Sequence, residues 1–166
     1  MFRRGRRGTA LFLALLLGTL VNPTGTLAAA GDSGMSADLE GKPIQLREVG
    51  RYHCEDVDYP RIHCFRSEAA RDAAALPQLA AAGTTYVIVW DFTTYAGASL
   101  IISQDYTALV TVGWNDRISS FKAQNSQSGK FWTDWFALGT FYAFCCNQQV
   151  PGLGSFDNTF SSVFRA

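Results

Sequence analysis

The fold is decided by two short stretches, WDFTTYAG at residues 90–97 and NDRISS at residues 115–120. Both recur with the same spacing, as WTDWFALG at 132–139 and DNTFSS at 157–162, so that every repeated position lies 42 residues after its first copy. A repeat of this length indicates two copies of one supersecondary unit. Because the repeated positions include carboxylate, amide and hydroxyl side chains, the repeat carries chemistry as well as shape.

Each copy begins with an aromatic residue that is followed by a glycine at a fixed distance, Trp90 by Gly97 and Trp132 by Gly139. Glycine is needed where a folded hairpin requires a positive φ or a close backbone approach. A neighbouring aromatic ring packs over such a bend. Each copy ends in two acid or amide residues, two variable residues and two serines, and the recurrence of both sub-motifs at one separation is a strong signal.

The chain resembles the βγ-crystallin superfamily, specifically its calcium-binding microbial members. The family's hairpin pattern, aromatic-x4-aromatic-x-Gly, is matched by Trp90, Tyr95 and Gly97, whereas the second copy has Ala137 at the middle position. The family's double calcium signature is matched in both copies. The resemblance covers residues 84–166 and implies an all-β fold, in which two Greek-key motifs form one β-sandwich.

The resemblance also implies two calcium sites that draw on both copies. It assigns side-chain ligands to the second and fifth positions of the signature and main-chain carbonyls to the third. The predicted metal-binding residues are Asn115, Asp116, Arg117, Ser119, Asp157, Asn158, Thr159 and Ser161. Calcium prefers such hard oxygen donors and tolerates mixed coordination. Since Asp116 is the one carboxylate that would face an ion directly, we expect a modest affinity, about 10⁻⁵ to 10⁻³ M.

The alternative interpretation is that these Asn, Asp and Ser residues form Asx-type turns that close strands. Turn chemistry favours the same residue types, so one copy alone does not distinguish the two interpretations. The presence of the full pattern in both copies favours calcium.

The first 30 residues have the pattern of a cleaved signal peptide. Four arginines precede an almost uninterrupted apolar run from Ala10 to Val21, and small residues follow at 28–30. The apolar run is short for a membrane span, which needs about 20 residues. We therefore predict a signal peptide at 1–30, an N-terminal extension at 31–83 and the crystallin-like domain at 84–166, in a protein that is secreted and has no membrane contact after cleavage.

The four cysteines of an exported chain are expected in disulfides. Three pairings are open, and adjacent Cys145 and Cys146 on a strand would point to opposite faces, which makes bonds to Cys54 and Cys64 plausible. The repeated His-Cys pairs at 53–54 and 63–64 leave a zinc site as the alternative.

The secondary structure pattern is helical before residue 83 and β-rich after it. Ser67 can cap a helix of Ala-rich sequence that Pro77 should end or kink, and the structure of 44–65 is left open. Strands are predicted at 84–90, 99–103, 107–114, 131–136 and 140–146, with turns and a polar linker between 115 and 130. The many aromatic residues are predicted to be core, although an exposed cluster within 131–136 would form a contact surface.

Composition and motifs argue against several classes of protein. Without its leader the chain has 10 basic and 14 acidic residues, and it lacks the basic stripe of nucleic-acid binders. It also lacks the Gly-x-Ser-x-Gly and His-Glu-x-x-His motifs of hydrolases, so we expect no enzyme. The alternative function, implied by exported bacterial proteins of this fold, is a peptidase inhibitor or antimicrobial antagonist that binds a secreted protease or another extracellular target through loop 147–155.

Overall fold

The computed structural model describes residues 34–166, so the predicted signal peptide lies outside the described residues. Within this range the chain forms one helix, α1 (Glu68–Ala82), and eleven strands. The strands are β1 (Ser36–Leu39), β2 (Lys42–Ile44), β3 (His53–Glu55), β4 (Arg61–Phe65), β5 (Tyr86–Phe92), β6 (Ala96–Ile102), β7 (Ser120–Gln124), β8 (Gly129–Trp132), β9 (Phe141–Phe144), β10 (Gln149–Val150) and β11 (Ser162–Arg165). The prediction of a mostly β fold is confirmed.

The strands form two sheets that enclose an aromatic core. One sheet has eight strands in the order β10-β7-β5-β6-β3-β4-β1-β2, and the other has three in the order β11-β8-β9. Phe121 of the first sheet packs edge-on against Phe131 of the second, with ring centroids 5.2 Å apart. Phe160 stacks on Phe131, also at 5.2 Å. Alternation of buried Phe121 and Ala123 with half-buried residues shows why β7 lies over the core.

Each copy of the sequence repeat contributes backbone pairing to the sheet of the other copy. The second copy places β10 beside β7 of the first copy. In return, Tyr106 of the first copy bridges to Val163 of β11 in the second. Each copy therefore completes the sheet of the other.

Residues 36–65 extend the first sheet. The sequence left the structure of 44–65 open. Residues 31–42, which are polar and lack periodicity, predicted a disordered or loosely attached lead-in; this is wrong for the described part, which forms β1 and the start of β2. β3 pairs in parallel with β6, β4 pairs with β3, and β1 pairs in parallel with β4. This segment is thus hydrogen-bonded directly to the edge of the first repeat.

The cysteines pair differently from the bonds that the sequence made plausible. Cys54 bonds to Cys64, directly opposite on β3 and β4, and Cys145 bonds to Cys146. The opposite-face argument fails because Cys146 follows the end of β9 and has a positive φ of 63°, so the adjacent pair lies in a turn. With both thiols of the His-Cys pairs in a disulfide, the zinc alternative is wrong.

Helix α1 covers the outer face of the first repeat. The Ser67 hydroxyl accepts a hydrogen bond from the Ala70 amide, and Gly83 ends the helix in the left-handed conformation. Of the two predicted effects of Pro77, an end or a kink, the first is wrong: the helix continues to Ala82, because the following residues favour helix and Leu79 is buried against the sheet. Among the described residues, no helix is long and apolar enough to cross a membrane.

Several predicted strands differ from the structure. Residues 107–114 form a 3-10 helix at Leu109–Val112 instead of a strand, and the predicted strand at 131–136 ends at Trp132, before a second 3-10 turn at Trp135–Ala137. The strand β7 was not predicted: its first and last residues were assigned to a turn at 115–120 and a linker at 124–130, and 121–123 had no assignment. β-branched and aromatic composition does not distinguish a strand from a buried turn, since both pack against the core.

Buried Asp56 links the N-terminal segment to the repeat domain. The Ser103 amide donates to Asp56 Oδ1 (2.6 Å) and the Tyr106 hydroxyl to Oδ2 (3.1 Å). Burial of the carboxylate nevertheless raises the pKa of Asp56 to about 6, against these two hydrogen bonds, which lower it.

We expect Asp56 to make the protein less stable as the pH rises from 4 to 7. Its pKa is about 6 in the folded state and ordinarily 3.8, so the folded state holds the proton more tightly, and that contribution is lost as the pH rises from about 4 and passes through 6. An Asp56→Asn variant does not ionise and keeps an acceptor oxygen for the Ser103 amide, while its Nδ2 can donate to the Tyr106 hydroxyl oxygen, so it should show a pH dependence smaller by about 3 kcal/mol. Urea unfolding of both proteins at several pH values measures the difference, and parallel curves would contradict the prediction.

Candidate functional site

The two signature loops, 115–120 and 157–162, are joined by crossed backbone hydrogen bonds. The Asp116 amide donates to the Phe160 carbonyl (2.9 Å), and the Asn158 amide donates to the Ile118 carbonyl (3.1 Å). Asp116 and Asn158 both have left-handed backbones, with φ of 53° and 55°. Asp and Asn tolerate this conformation better than most residues, which explains their place in the motif. Each loop consequently presents its second side chain to the other copy.

The first cleft combines Ser119 of the first copy with Asn158 of the second. Ser119 Oγ lies 3.1 Å from Asn158 Oδ1 and 3.1 Å from the Asp91 carbonyl oxygen. Phe92 and Thr93 complete one wall of this cleft, and Asp116 and Asp157 lie at its rim. The cleft is lined by Asp91, Phe92, Thr93, Asp116, Arg117, Ser119, Asp157 and Asn158. Three oxygens of different chemistry therefore meet at one point.

The second cleft is the counterpart with the copies reversed. Ser161 Oγ of the second copy lies 3.4 Å from Asp116 Oδ1 of the first. Asn115 supports this arrangement, since its Nδ2 donates to Asp116 Oδ2 (2.7 Å) and its Oδ1 accepts from Trp135 Nε1 (3.0 Å). The two clefts thus have the same plan, with a carboxylate in one and an amide in the other.

The second serine of each motif holds the aromatic hairpin rather than the cleft. The Ser120 hydroxyl donates to the Phe92 carbonyl (2.7 Å) and accepts from the Tyr95 amide (3.1 Å). Ser162 does the same with the Asp134 carbonyl (2.7 Å) and the Ala137 amide (3.3 Å). Because these contacts use backbone atoms, Ala137 keeps the hairpin geometry without an aromatic ring.

Matched backbone angles confirm that the two hairpins have the same shape. Thr94 and Tyr95 have φ of 57° and 61°, and Phe136 and Ala137 have 58° and 59°. The glycines that follow, Gly97 and Gly139, have φ of 81° and 77°.

Asp91 is a functional candidate that the sequence analysis missed. Its carboxylate is largely buried, and Oδ2 pairs with Arg117 Nη2 at 2.7 Å, while Oδ1 is buried without a hydrogen-bond partner among the described residues. Its carbonyl oxygen also faces Ser119 Oγ in the first cleft. The repeat did not reveal Asp91 because Thr133 occupies its position in the second copy.

The side chains of the remaining predicted residues have supporting or peripheral positions, and the main-chain carbonyls of Arg117 and Thr159 stay predicted ligands. The Arg117 guanidinium binds Asp91 and the Gly113 carbonyl (3.1 Å), so its side chain adds positive charge beside the first cleft. Thr159 Oγ1 donates to the Phe156 carbonyl (2.8 Å) within its own loop. Asp157 is exposed and accepts from Asn158 Nδ2 (3.3 Å). The structure therefore brings together the second and fifth positions, as predicted, and leaves the first position at the rim.

The donors of both clefts are uncharged or singly charged oxygens. Within residues 34–166, no group of three or more His, Cys, Asp or Glu side chains is placed to hold a metal ion. Hydroxyl, amide and carbonyl oxygens, with one carboxylate, still fit a calcium ion, which is bound by such mixed sets. They do not fit zinc, which prefers nitrogen and sulfur.

Comparison with known proteins finds similarity to solved structures only. No family model matches the chain, and no curated protein matches it. A βγ-crystallin from an archaeon is 23% identical, with a TM-score of 0.45, over 50% of this chain and 99% of that chain. A βγ-crystallin from Ciona intestinalis is 24% identical, with a TM-score of 0.45, over 49% and 99%.

A βγ-crystallin domain from Clostridium beijerinckii is 19% identical, with a TM-score of 0.43, over 48% of this chain and 95% of that chain. These three solved structures are all βγ-crystallins or βγ-crystallin domains.

We expect Gly97→Ala to destabilise the protein far more than Gly41→Ala. Both glycines have the same left-handed φ, 81° and 82°, but Gly41 has open space around it. A methyl group at position 97 would overlap the Asp91 carboxylate and lie 2.7 Å from the Phe92 ring. Backbone strain should cost about 1–2 kcal/mol in both variants, and the overlap about 1–3 kcal/mol more at position 97. Urea unfolding measures both, and equal losses would show that the hairpin does not depend on this close approach.

Proposed function

We propose that residues 84–166 form a βγ-crystallin-type domain of two Greek-key motifs that binds calcium in both clefts. The observation that supports this most directly is the pairing of side chains from opposite copies, Ser119 with Asn158 and Ser161 with Asp116. The proposed protein is secreted, and calcium ions are its partners. It acts by binding and not by catalysis.

Burial supports ligand positions rather than simple turn chemistry. The hydroxyl-bearing residues Ser119 and Ser161 are only 2% and 5% exposed, although each faces a cleft with open space beside it. An Asx-type turn uses a local side chain to bond its own backbone. Here the partners are 39 and 45 residues apart in the chain, so the pairs do not serve a local turn.

Calcium in these clefts would cross-link the two copies. A ligand that binds only the folded state stabilises it by mass action, by about 2.7 kcal/mol when its concentration is 100 times the dissociation constant. In the unfolded chain the two halves of each cleft are separated by about 40 residues, as the donor pairs show. The ion would therefore bind the folded state alone and raise the melting temperature.

The two clefts should differ in affinity. The second-position side chain that faces the serine is the Asp116 carboxylate in the second cleft and the neutral Asn158 amide in the first. Asp116 and Asp157 also line the first cleft, but neither contacts its serine, and the Asp91 carboxylate there is paired with the Arg117 guanidinium. Since calcium affinity rises with the negative charge of the ligands, the second cleft should bind more tightly.

The inhibitor alternative stays a prediction for loop 147–155. This loop contributes β10 to the first sheet, and its Leu153 is buried in the core. The Pro151 carbonyl accepts a hydrogen bond from the Thr94 amide (2.7 Å). These contacts anchor the loop, but no feature of it identifies a protease target.

We expect the double variant Ser119→Ala and Ser161→Ala to lose the calcium response. Wild-type protein should release or absorb heat on titration with millimolar calcium and melt at a higher temperature, because the ion binds only the folded state. The double variant should remain folded without calcium and show neither effect. Ser36→Ala, which removes an exposed hydroxyl on β1, is the matched control. A full response in the double variant would show that the serines are not ligands, and no response in wild type would refute calcium binding.

Exchanging the carboxylate and amide side chains at positions 116 and 158 should change the calcium affinities of the two clefts in opposite directions. Asp116→Asn should weaken the tighter site roughly tenfold, and Asn158→Asp should strengthen the weaker site by a similar factor, because ligand charge sets calcium affinity. Calorimetric titration resolves the two constants. Asp58→Asn, which removes an exposed carboxylate from the N-terminal segment, is the charge control. If Asp58→Asn weakened binding as much as Asp116→Asn, net charge and not ligation would explain the effect.

A further inference from the structure

Exposed apolar side chains are concentrated on the two aromatic hairpins. Among residues 34–166, the large apolar side chains that are exposed are Tyr59, Phe92, Val110, Trp135, Phe136, Leu138 and Phe141. Four of these seven lie on the hairpin tips: Phe92 on the first, and Trp135, Phe136 and Leu138 on the second. The core of the sandwich does not need them, so their position requires another explanation.

Both tips lie at the end of the sandwich that carries the clefts. Phe92 lines the first cleft together with Asn158. Trp135, Phe136 and Leu138 line the second together with Ser161. Since the signature loops are bonded to each other through Asp116 and Asn158 amides, the two clefts and their apolar rims share one end of the molecule.

The second tip holds an aromatic ring in solvent at a cost in backbone energy. Phe136 has a φ of 58° and is 64% exposed. A bulky residue in the left-handed region is a strained outlier. The Phe136 amide donates to the Thr107 carbonyl (2.8 Å), which fixes the tip in place. Thr94, at the same position of the first hairpin, shows that the fold accepts a polar residue there.

The charge at this end is negative without a bound cation. Carboxylates of Asp91, Asp116 and Asp157 line the first cleft, and Asp134 lines the second. Arg117 neutralises Asp91 alone. A negatively charged surface would be repelled by these groups, whereas calcium in the clefts would attract it and offer phosphate oxygens a hard cation.

We propose that this end of the domain is a calcium-dependent binding surface for anionic phospholipid membranes. The inference rests on the calcium sites proposed above. The ions would bridge the cleft oxygens to lipid phosphates, while Phe92, Trp135, Phe136 and Leu138 enter the interfacial region, where Trp and other apolar side chains are favourable. Calcium supplies the charge complementarity, and the hairpin tips supply the apolar contact.

The shape of the surface favours a membrane over a folded protein partner. The apolar side chains stand on two separate hairpins, and each group lines a different cleft together with polar side chains. Protein interfaces of ordinary size have an apolar core surrounded by a polar rim, which is the reverse of this arrangement. A fluid lipid surface accommodates separate protruding tips, each of which needs only shallow insertion.

The test is sedimentation of the purified protein with vesicles, in parallel with calcium calorimetry. Vesicles of phosphatidylserine with phosphatidylcholine should bind the protein in millimolar calcium and release it on addition of EDTA. Pure phosphatidylcholine vesicles should bind much less. The double variant Phe136→Ser and Leu138→Ser should bind vesicles about tenfold less, because it removes two of the four apolar side chains on the tips. Both residues line the second cleft, so the calcium titration of the same variant is part of the test: vesicle binding should fall much further than calcium affinity, and an equal loss of both would place the effect in the cleft and contradict a role of the tips.

Tyr59→Ser is the matched control, since Tyr59 is an exposed aromatic residue of the N-terminal segment and lies on neither tip. It should bind vesicles like wild type. Equal loss in the control and the tip variant would place the surface elsewhere and overturn the proposal, as would vesicle binding that persists in EDTA. Calcium binding without vesicle binding would overturn the membrane surface alone, including the case in which calcium instead drives self-association. Absence of calcium binding would overturn both this proposal and the proposed function.

Discussion

The crossed hydrogen bonds between the two signature loops are the constraint on which the site depends. Asp116 bonds to Phe160, and Asn158 bonds to Ile118, through backbone atoms alone. Both donor residues have a left-handed backbone, a conformation that Asp and Asn tolerate better than most residues. The same residues also place a side-chain oxygen beside the serine of the opposite copy, so the backbone geometry and the proposed ligand set favour the same residue types.

The two serines of each motif have different structural roles. Ser120 and Ser162 fix the aromatic hairpins through backbone contacts, and Ser119 and Ser161 face the clefts. Because the hairpin is held by backbone and hydroxyl groups, its aromatic positions are free to vary. The second copy shows this, with Ala137 in place of a ring and Phe136 turned to solvent. Divergence of the two hairpins thus leaves the cleft geometry intact.

The site was largely predictable from the sequence, whereas the front segment was not. The fixed repeat spacing and the signature, which is matched twice, identified Asp116, Ser119, Asn158 and Ser161 as candidates. They could be identified because the local backbone geometry of each loop restricts which residue types fit. The sequence analysis missed Asp91 because its contacts are made by its main-chain carbonyl, with Ser119, and by its carboxylate, with Arg117. The second copy has no carboxylate at this position. No local pattern marks a residue of that kind.

Strands that are defined by distant partners were also beyond the sequence pattern. The N-terminal strands join the first sheet through two parallel pairs, β1 with β4 and β3 with β6. The strand β10 has only two residues. Residues 107–114 have strand composition but are held by the bridge from Tyr106 to Val163 and by a 3-10 turn. The adjacent cysteines were misassigned for a related reason, since a left-handed turn at Cys146 replaced the expected strand.

The two repeats have similar hairpins and signature loops, but their outer faces are covered differently. Helix α1 packs on the outer face of the first repeat through Ala75 and Leu79, and Glu68 accepts a hydrogen bond from Trp90 Nε1 (3.1 Å). The equivalent Trp132 is only partly covered, by Phe141 and Lys130. The N-terminal segment therefore stabilises one half of the sandwich without blocking the end that carries the clefts.

A crystal structure of the protein grown in millimolar calcium tests the exchange of ligands between copies most directly. Each cleft should contain an ion that contacts one serine hydroxyl and the second-position side chain of the opposite copy, Ser119 with Asn158 and Ser161 with Asp116. Clefts that contain only water, or an ion bound by residues of a single copy, would contradict the proposal that calcium joins the two halves.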